Sequence, residues 1–125
     1  MEQSLVRDWM GTLINYVRSG QPDLTNRQMA LLMLVYETPG PHTVRGLAAQ
    51  LSVSKPVVTR ALNTLAALGY LRRERDEADG RNIFVVRTEV GADFLEGFGS
   101  FVTQHGVVSD YAERETERVV EPLRN

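Results

Sequence analysis

Apolar residues in the first eighteen positions recur at helical spacing. Leu5, Val6, Trp9, Met10, Leu13, Ile14 and Val17 make one broad stripe, which predicts an amphipathic helix over residues 4–18, with Ser4 as N-cap and Gly20 and Pro22 as its stop. The next helix announces itself chemically. Thr25 and Gln28 form a capping box, and Leu24 and Met29 can close a hydrophobic staple. Residues 29–36 are apolar nearly all round, as in a central buried helix, until Pro39-Gly40-Pro41 ends it. Thr43 then caps a short helix over 44–51, with Val44, Leu47, Ala48 and Leu51 inward, and Ser52-Val53 makes a turn. Ser54 caps a second helix over 55–68, with Pro56 tolerated in its first turn and Gly69 as its C-terminal stop.

The period then changes. Two extended segments are predicted near 70–75 and 82–87, the second carrying the β-branched and aromatic run Ile83-Phe84-Val85-Val86, with the turn-forming Asp79-Gly80 at the tip between them. Thr88 opens a further helix to about residue 104. Its apolar face is Val90, Phe94, Phe98, Phe101 and Val102, and Gly91, Gly97 and Gly99 weaken it by up to ~1 kcal/mol each. A last charged helix is predicted over 109–121, before Pro122. Helix, tight turn, helix and basic hairpin in this order are the layout of a winged helix-turn-helix. The fold class is therefore mainly α, with a two-strand β wing and flanking N- and C-terminal helices. The chain is expected to be one domain over 1–125, with a DNA-binding core over 24–88 and dimerisation helices over 1–20 and 89–125.

A recognition helix must pack one face on its domain and offer the other to the major groove. At 100° per residue Val58, Ala61, Leu62, Leu65 and Leu68 fall on one side, and Pro56, Thr59, Arg60, Asn63 and Ala67 on the other, flanked by Lys55, Val57 and Thr64. The polar face suits base reading: Arg60 for guanine, Asn63 for adenine, Val57 for a thymine methyl. Lys55 and Thr59 are placed as phosphate contacts, which position rather than specify. Arg45, outward on the preceding helix, is either a phosphate contact or a plain surface residue. Thr43 and Ser54, at the two helix starts, complete this part of the DNA-binding set.

The net charge of −2 looks unsuited to DNA until it is divided along the chain. Residues 1–53 carry four basic and four acidic side chains, residues 54–87 seven and four, and residues 88–125 three and eight. The positive excess thus coincides with the proposed recognition helix and wing, where phosphates would be met. There are no cysteines, so disulfides and thiolate metal sites are excluded. His42, expected in a loop, and His105, near a helix end, give no metal-ligand spacing. No segment approaches the roughly 20 apolar residues of a membrane span, and no signal peptide opens the chain. No nucleophile–base pair, carboxylate dyad or phosphate-cradling glycine loop stands out. The expectation is a cytoplasmic protein without enzymatic activity, cofactor or metal.

Residues 47–91 closely resemble the multiple-antibiotic-resistance-regulator (MarR) family of bacterial transcription factors. The resemblance rests on Leu47-Ala48, on Thr59-Arg60 in the recognition helix, on Leu65 before Gly69, on Arg73, Asp76, Asp79 and Arg81 through the wing, and on Thr88 and Gly91 at the next helix. Residues 24–32 resemble the family's preceding helix. The resemblance implies that Arg81 enters the minor groove at the wing tip, that Arg73 and Arg75 anchor the wing or meet phosphates, and that Asp76 and Asp79 support the wing, Asp79 by ion pairing with an arginine. It also implies a homodimer on a near-palindromic operator in double-stranded DNA and an effector of unidentified small-molecule type. Two departures stand out: both ends are shorter than in the family, and Arg87 precedes Thr88 where the family usually has an apolar residue. The function expected is that of a sequence-specific DNA-binding regulator, a repressor by preference. The alternative is a winged-helix module that docks a protein partner without reading DNA.

Overall fold

The computed structural model describes residues 2–104, so His105 and the helix expected over 109–121 lie outside the described residues. Eight elements follow in order: α1 (Glu2–Arg18), α2 (Asn26–Glu37), β1 (His42–Thr43), α3 (Val44–Leu51), α4 (Lys55–Ala67), β2 (Leu71–Arg75), β3 (Ile83–Arg87) and α5 (Glu89–Thr103). They divide into two compact units, one of residues 24–95 and one built from the chain up to residue 23 and from residue 96 onward.

The unit of residues 24–95 is a winged helix. Its helices start where hydroxyl caps stand. Thr25 accepts from the Gln28 N–H while the Gln28 side chain accepts from the Thr25 N–H, which is the full capping box. Thr43 accepts from Gly46 N and Ser54 from Val57 N. Ser52 closes α3 in a left-handed conformation (φ 55), and Gly69 ends α4 at φ +81, where a residue without Cβ is favoured. Leu31, Leu32, Val35, Leu47, Val58, Leu62 and Leu65 are almost wholly removed from solvent and form the core. Tyr70 stacks on Phe94 at 4.3 Å, and burial pushes its hydroxyl pKa above the ordinary tyrosine value, keeping it neutral.

The two wing strands pair antiparallel, with Arg73 opposite Val85, and a third short strand joins them: β1 pairs with β3, placing His42 opposite Val85 and giving the order β1-β3-β2. His42 is therefore a buried strand residue rather than a loop residue, with its Nε2 3.1 Å from the Thr38 carbonyl. A two-residue strand has too little pattern to register in a sequence.

Two further expectations change at the helix joints. Ser4 lies inside α1, which begins at Glu2, so it is not the N-cap. Gly91 does more than soften α5. A Cβ there would overlap the Tyr36 hydroxyl and the Tyr70 carbonyl. That hydroxyl is a hub: it donates to Tyr70 O (2.7 Å), with Thr88 O at 3.1 Å, and accepts from Thr88 N at 2.9 Å. Thr88 in turn accepts from Gly91 N (2.9 Å) and donates to Gly69 O (2.7 Å). Arg87 also gains a role, since its guanidinium donates to Val35 O (2.9 Å) and Thr38 O (3.0 Å) at the C-terminal end of α2, 5.8 Å from the Tyr36 ring centre. Those carbonyls are helix-end acceptors without an intrahelical donor, which is what a cation satisfies best.

In the other unit, Thr12 and Tyr16 of α1 and Phe98 of α5 are buried. Phe98 meets Trp9 and Tyr16 edge-on at 6.3 and 5.6 Å, and Tyr16 meets Phe101 at 5.9 Å. Leu5, Val6, Trp9, Met10, Leu13 and Val17, the apolar stripe of the helix expected to serve dimerisation, are exposed. No described helix is long and apolar enough to cross a membrane.

Candidate nucleic-acid interface

Three of the four helix starts in the winged-helix unit, those of α2, α3 and α4, run against their own dipoles. The positive end of a helix dipole favours acids in the first turn. None of α2, α3 and α4 has an acid there. Each has a cation instead: Arg27 second in α2, Arg45 second in α3, Lys55 first in α4, all exposed. Each such placement costs about 0.3–1 kcal/mol at a surface helix end. The caps beside them add donors, because the Thr25, Thr43 and Ser54 oxygens accept from backbone N–H groups and leave the hydroxyl hydrogen to donate outward.

The α4 helix divides as its periodicity requires. Val58, Ala61, Leu62 and Leu65 are buried; Leu68, the C-cap, is half-buried. Lys55, Thr59, Arg60 and Asn63 are exposed and Val57 is half-buried. Val57 and Arg60 line a cleft of about 220 Å³ together with Thr25, Arg27 and Gln28 from α2. On the other flank, Thr59, Val44, Arg73 and Arg75 line a cleft of about 350 Å³ between helix and wing. A third hollow of about 150 Å³ brings Arg45, Lys55, Thr59 and Arg81 to one wall. The second and third hollows share Val44, Thr59 and Ile83, so that Arg45 and Arg81, 36 positions apart in sequence, line one basic wall.

The wing holds its arginines in three ways. Arg72 pairs with Glu74 at 2.5 Å. Arg73 reaches across to α4 and donates to Asn63 Oδ1 at 2.7 Å. Arg81 stands at the tip, 3.8 Å from Asp79 and 93% exposed at its side chain. The tip is shaped by two aspartates: Asp76 accepts from Ala78 N and Asn82 Nδ2, and Asp79 accepts from Arg81 N. These are Asx-type turns, in which a short carboxylate satisfies the backbone two residues on.

Residues 23–82 match the model of the MarR family. The winged-helix unit is a MarR-family domain. Solved structures share the fold. A transcriptional regulator from Thermotoga maritima, Tm0710, is 27% identical, with 96% of this chain and 77% of that one covered and a TM-score of 0.60. The S. aureus MepR–DNA complex is 20% identical, with 94% and 91% covered and a TM-score of 0.64. Reduced AbfR bound to DNA is 19% identical, with 96% and 85% covered and a TM-score of 0.61. No curated protein sequence matches the chain.

Arg27 stands outside the residue set expected from the sequence. Arg27 was hidden because it sits in the helix before the helix-turn-helix, and only the fold brings it beside Arg60. A basic residue just after a Ser/Thr cap, where an acid is expected, is the signal that finds it. Asn63, expected as a base contact, also bonds Arg73, ten residues away on a different element.

Proposed function

We propose that this chain is a homodimeric, sequence-specific regulator of transcription acting as a repressor, with α4 in the major groove and the wing tip in the minor groove of double-stranded DNA. The observation that carries the reading is the row of first-turn cations, Arg27, Arg45 and Lys55, on three capped helix starts facing clefts shared with Arg60 and Arg81. An arrangement that opposes three helix dipoles makes sense beside a polyanion, whose phosphates accept from both the caps and the cations. Two of the structural neighbours, MepR and AbfR, are solved on DNA. In this reading Arg60 contacts base edges; Thr43, Arg45, Ser54, Lys55 and Thr59 hold phosphates; Val57 meets a thymine methyl; Arg73 and Arg75 flank the groove; Arg81 enters the minor groove, and Asp76 and Asp79 shape the wing tip. The exposed stripe of α1 is covered by a second copy, so that two recognition helices sit about one helical turn apart on a near-palindromic site.

In-vitro selection from a random duplex library, followed by titration of the selected site, tests this. A two-half-site motif is expected, and Arg60→Ala is expected to weaken it by about 1–3 kcal/mol while relaxing one base position. Failure to retain any duplex above background at low salt overturns the reading.

A further inference from the structure

We infer that Arg73 is a positioning residue that locks the Asn63 amide, so that Asn63 presents its NH2 group as a donor and selects guanine over adenine at the base it meets. The inference rests on the DNA-binding reading above and sharpens it. The Arg73 guanidinium lies 2.7 Å from Asn63 Oδ1. A guanidinium has donors and no acceptor, so the amide atom facing it must be the carbonyl oxygen. Flipping the amide would set NH2 against a cation, donor to donor. The bond is charge-assisted and short, the stronger kind of hydrogen bond.

The consequence is one of inventory. A free asparagine reads adenine because it offers both halves of the pair: its oxygen accepts from N6 and its nitrogen donates to N7. Here Arg73 occupies one lone pair of the oxygen and holds the carbonyl toward the wing, while Nδ2 donates to no described residue. Asn63 is exposed, three residues and nearly one turn beyond Arg60 on the outward face of α4. What it offers a groove is a donor. Guanine presents two major-groove acceptors, N7 and O6, whereas adenine presents one acceptor beside a donor and cytosine a donor. Guanine is therefore the favoured partner, and thymine, with its O4 acceptor, stands second. Arg73 is on β2, so the wing sets the reading of a residue on the recognition helix without touching the base.

Site selection with the wild-type protein and with Asn63→Ala, Asn63→Asp, Arg73→Ala and Arg73→Lys tests this. The position whose preference disappears in Asn63→Ala is the one Asn63 meets. Guanine is expected there in the wild type, favoured over adenine by about fivefold, the low end for a base contact. Asn63→Asp keeps an acceptor for Arg73 but removes the donor, and is expected to lose the guanine preference with the melting temperature unchanged. Arg73→Ala is expected to admit adenine at that position alone, and Arg73→Lys, which still donates, to restore guanine in part. Adenine at the Asn63 position in the wild type overturns the inference. So does an Arg73→Ala protein that binds every sequence more weakly with its preferences intact, since that is a plain phosphate contact. Absence of any selected sequence in the wild type instead strikes the DNA-binding reading itself.

Discussion

The two units of this chain treat apolar side chains in opposite ways. In residues 24–95, Leu31, Leu32 and Leu65 are 0% exposed, and the surface is left to Thr59, Arg60, Asn63 and the arginines of the wing. In α1 the order inverts: Leu5 is 62% exposed and Val17 74%, while Thr12 is among the most buried residues, its hydroxyl donating to the Asp8 carbonyl one turn back. Both units are made of amphipathic helices with comparable periodicity, so pattern alone does not say which face ends inward. The winged helix has three helices and a sheet to enclose its apolar faces. Contiguous apolar residues left exposed along a helix are the kind of surface that interaction sites present. One unit encloses its apolar faces with its own residues; the other leaves an apolar face exposed.

The comparison sharpens most in a matched pair of leucines. Leu65→Ala leaves a cavity in a closed core and is expected to lower stability by about 3 kcal/mol. That is a fall of roughly 12 °C in melting temperature, independent of protein concentration. Leu13→Ala, from a position 44% exposed, is expected to lose less than about 1 kcal/mol per chain and to shift melting mainly through concentration. Denaturant titrations at two protein concentrations decide it. Equal, concentration-independent losses would erase the distinction between the units.

Gly91 gives the next effect, again confined to the winged helix. Alanine there must push apart the Tyr36 hydroxyl and the Tyr70 carbonyl, a rearrangement expected to cost about 2–3 kcal/mol. Tyr36→Phe tests the same joint from the other side. It leaves Thr88 N and Tyr70 O without their partner and is expected to lose about 1–2 kcal/mol. An alanine at position 91 that stabilises the protein, as a glycine-to-alanine change in an open helix would, shows that the joint is loose.

These two cases show what could be read from the amino-acid string and what could not. Caps, stops and the split faces of α4 are local chemistry within four residues, and Thr25, Thr43, Ser54 and Gly69 carry them openly. The wing was legible because period and turn residues change together at Gly69 and Asp79-Gly80. The Tyr36–Thr88 joint, the Arg87 bonds to α2 and the Arg73–Asn63 bond each link residues 10 to 52 apart across different elements. No propensity encodes such pairs.

Trp9 probes that stripe directly. It is 47% exposed and meets Phe98 at 6.3 Å. Large aromatic side chains dominate interface energetics, so Trp9→Ala is expected to weaken self-association about tenfold, near 1.4 kcal/mol, and to lower DNA affinity although Trp9 lies outside the winged helix. Sedimentation across a micromolar range measures it. A wild-type protein that stays at a single monomer mass while binding its selected site with full affinity would remove the second copy from the proposal.

The smallest expected effect separates phosphate contacts from base contacts within the winged helix itself. Arg27 and Arg60 line one cleft, yet they stand on different helices and are expected to behave differently. Arg60 projects from the recognition helix, so its loss alters which sequence is bound. Arg27 stands in the first turn of α2, beside the Thr25 cap, where a phosphate would find a hydroxyl donor and a guanidinium together. Its loss is expected to weaken all sequences alike, by under about 1 kcal/mol at physiological salt, and to reduce the slope of log affinity against log salt by about 0.9, the value for one phosphate contact. Arg27→Lys keeps the charge and is expected to keep the slope. Titrations of the selected site and a scrambled duplex at four salt concentrations supply both quantities. An unchanged slope places Arg27 outside the footprint and leaves the unfavourable first-turn charge of α2 without a ligand, whereas a changed base preference moves Arg27 into the reading face with Arg60.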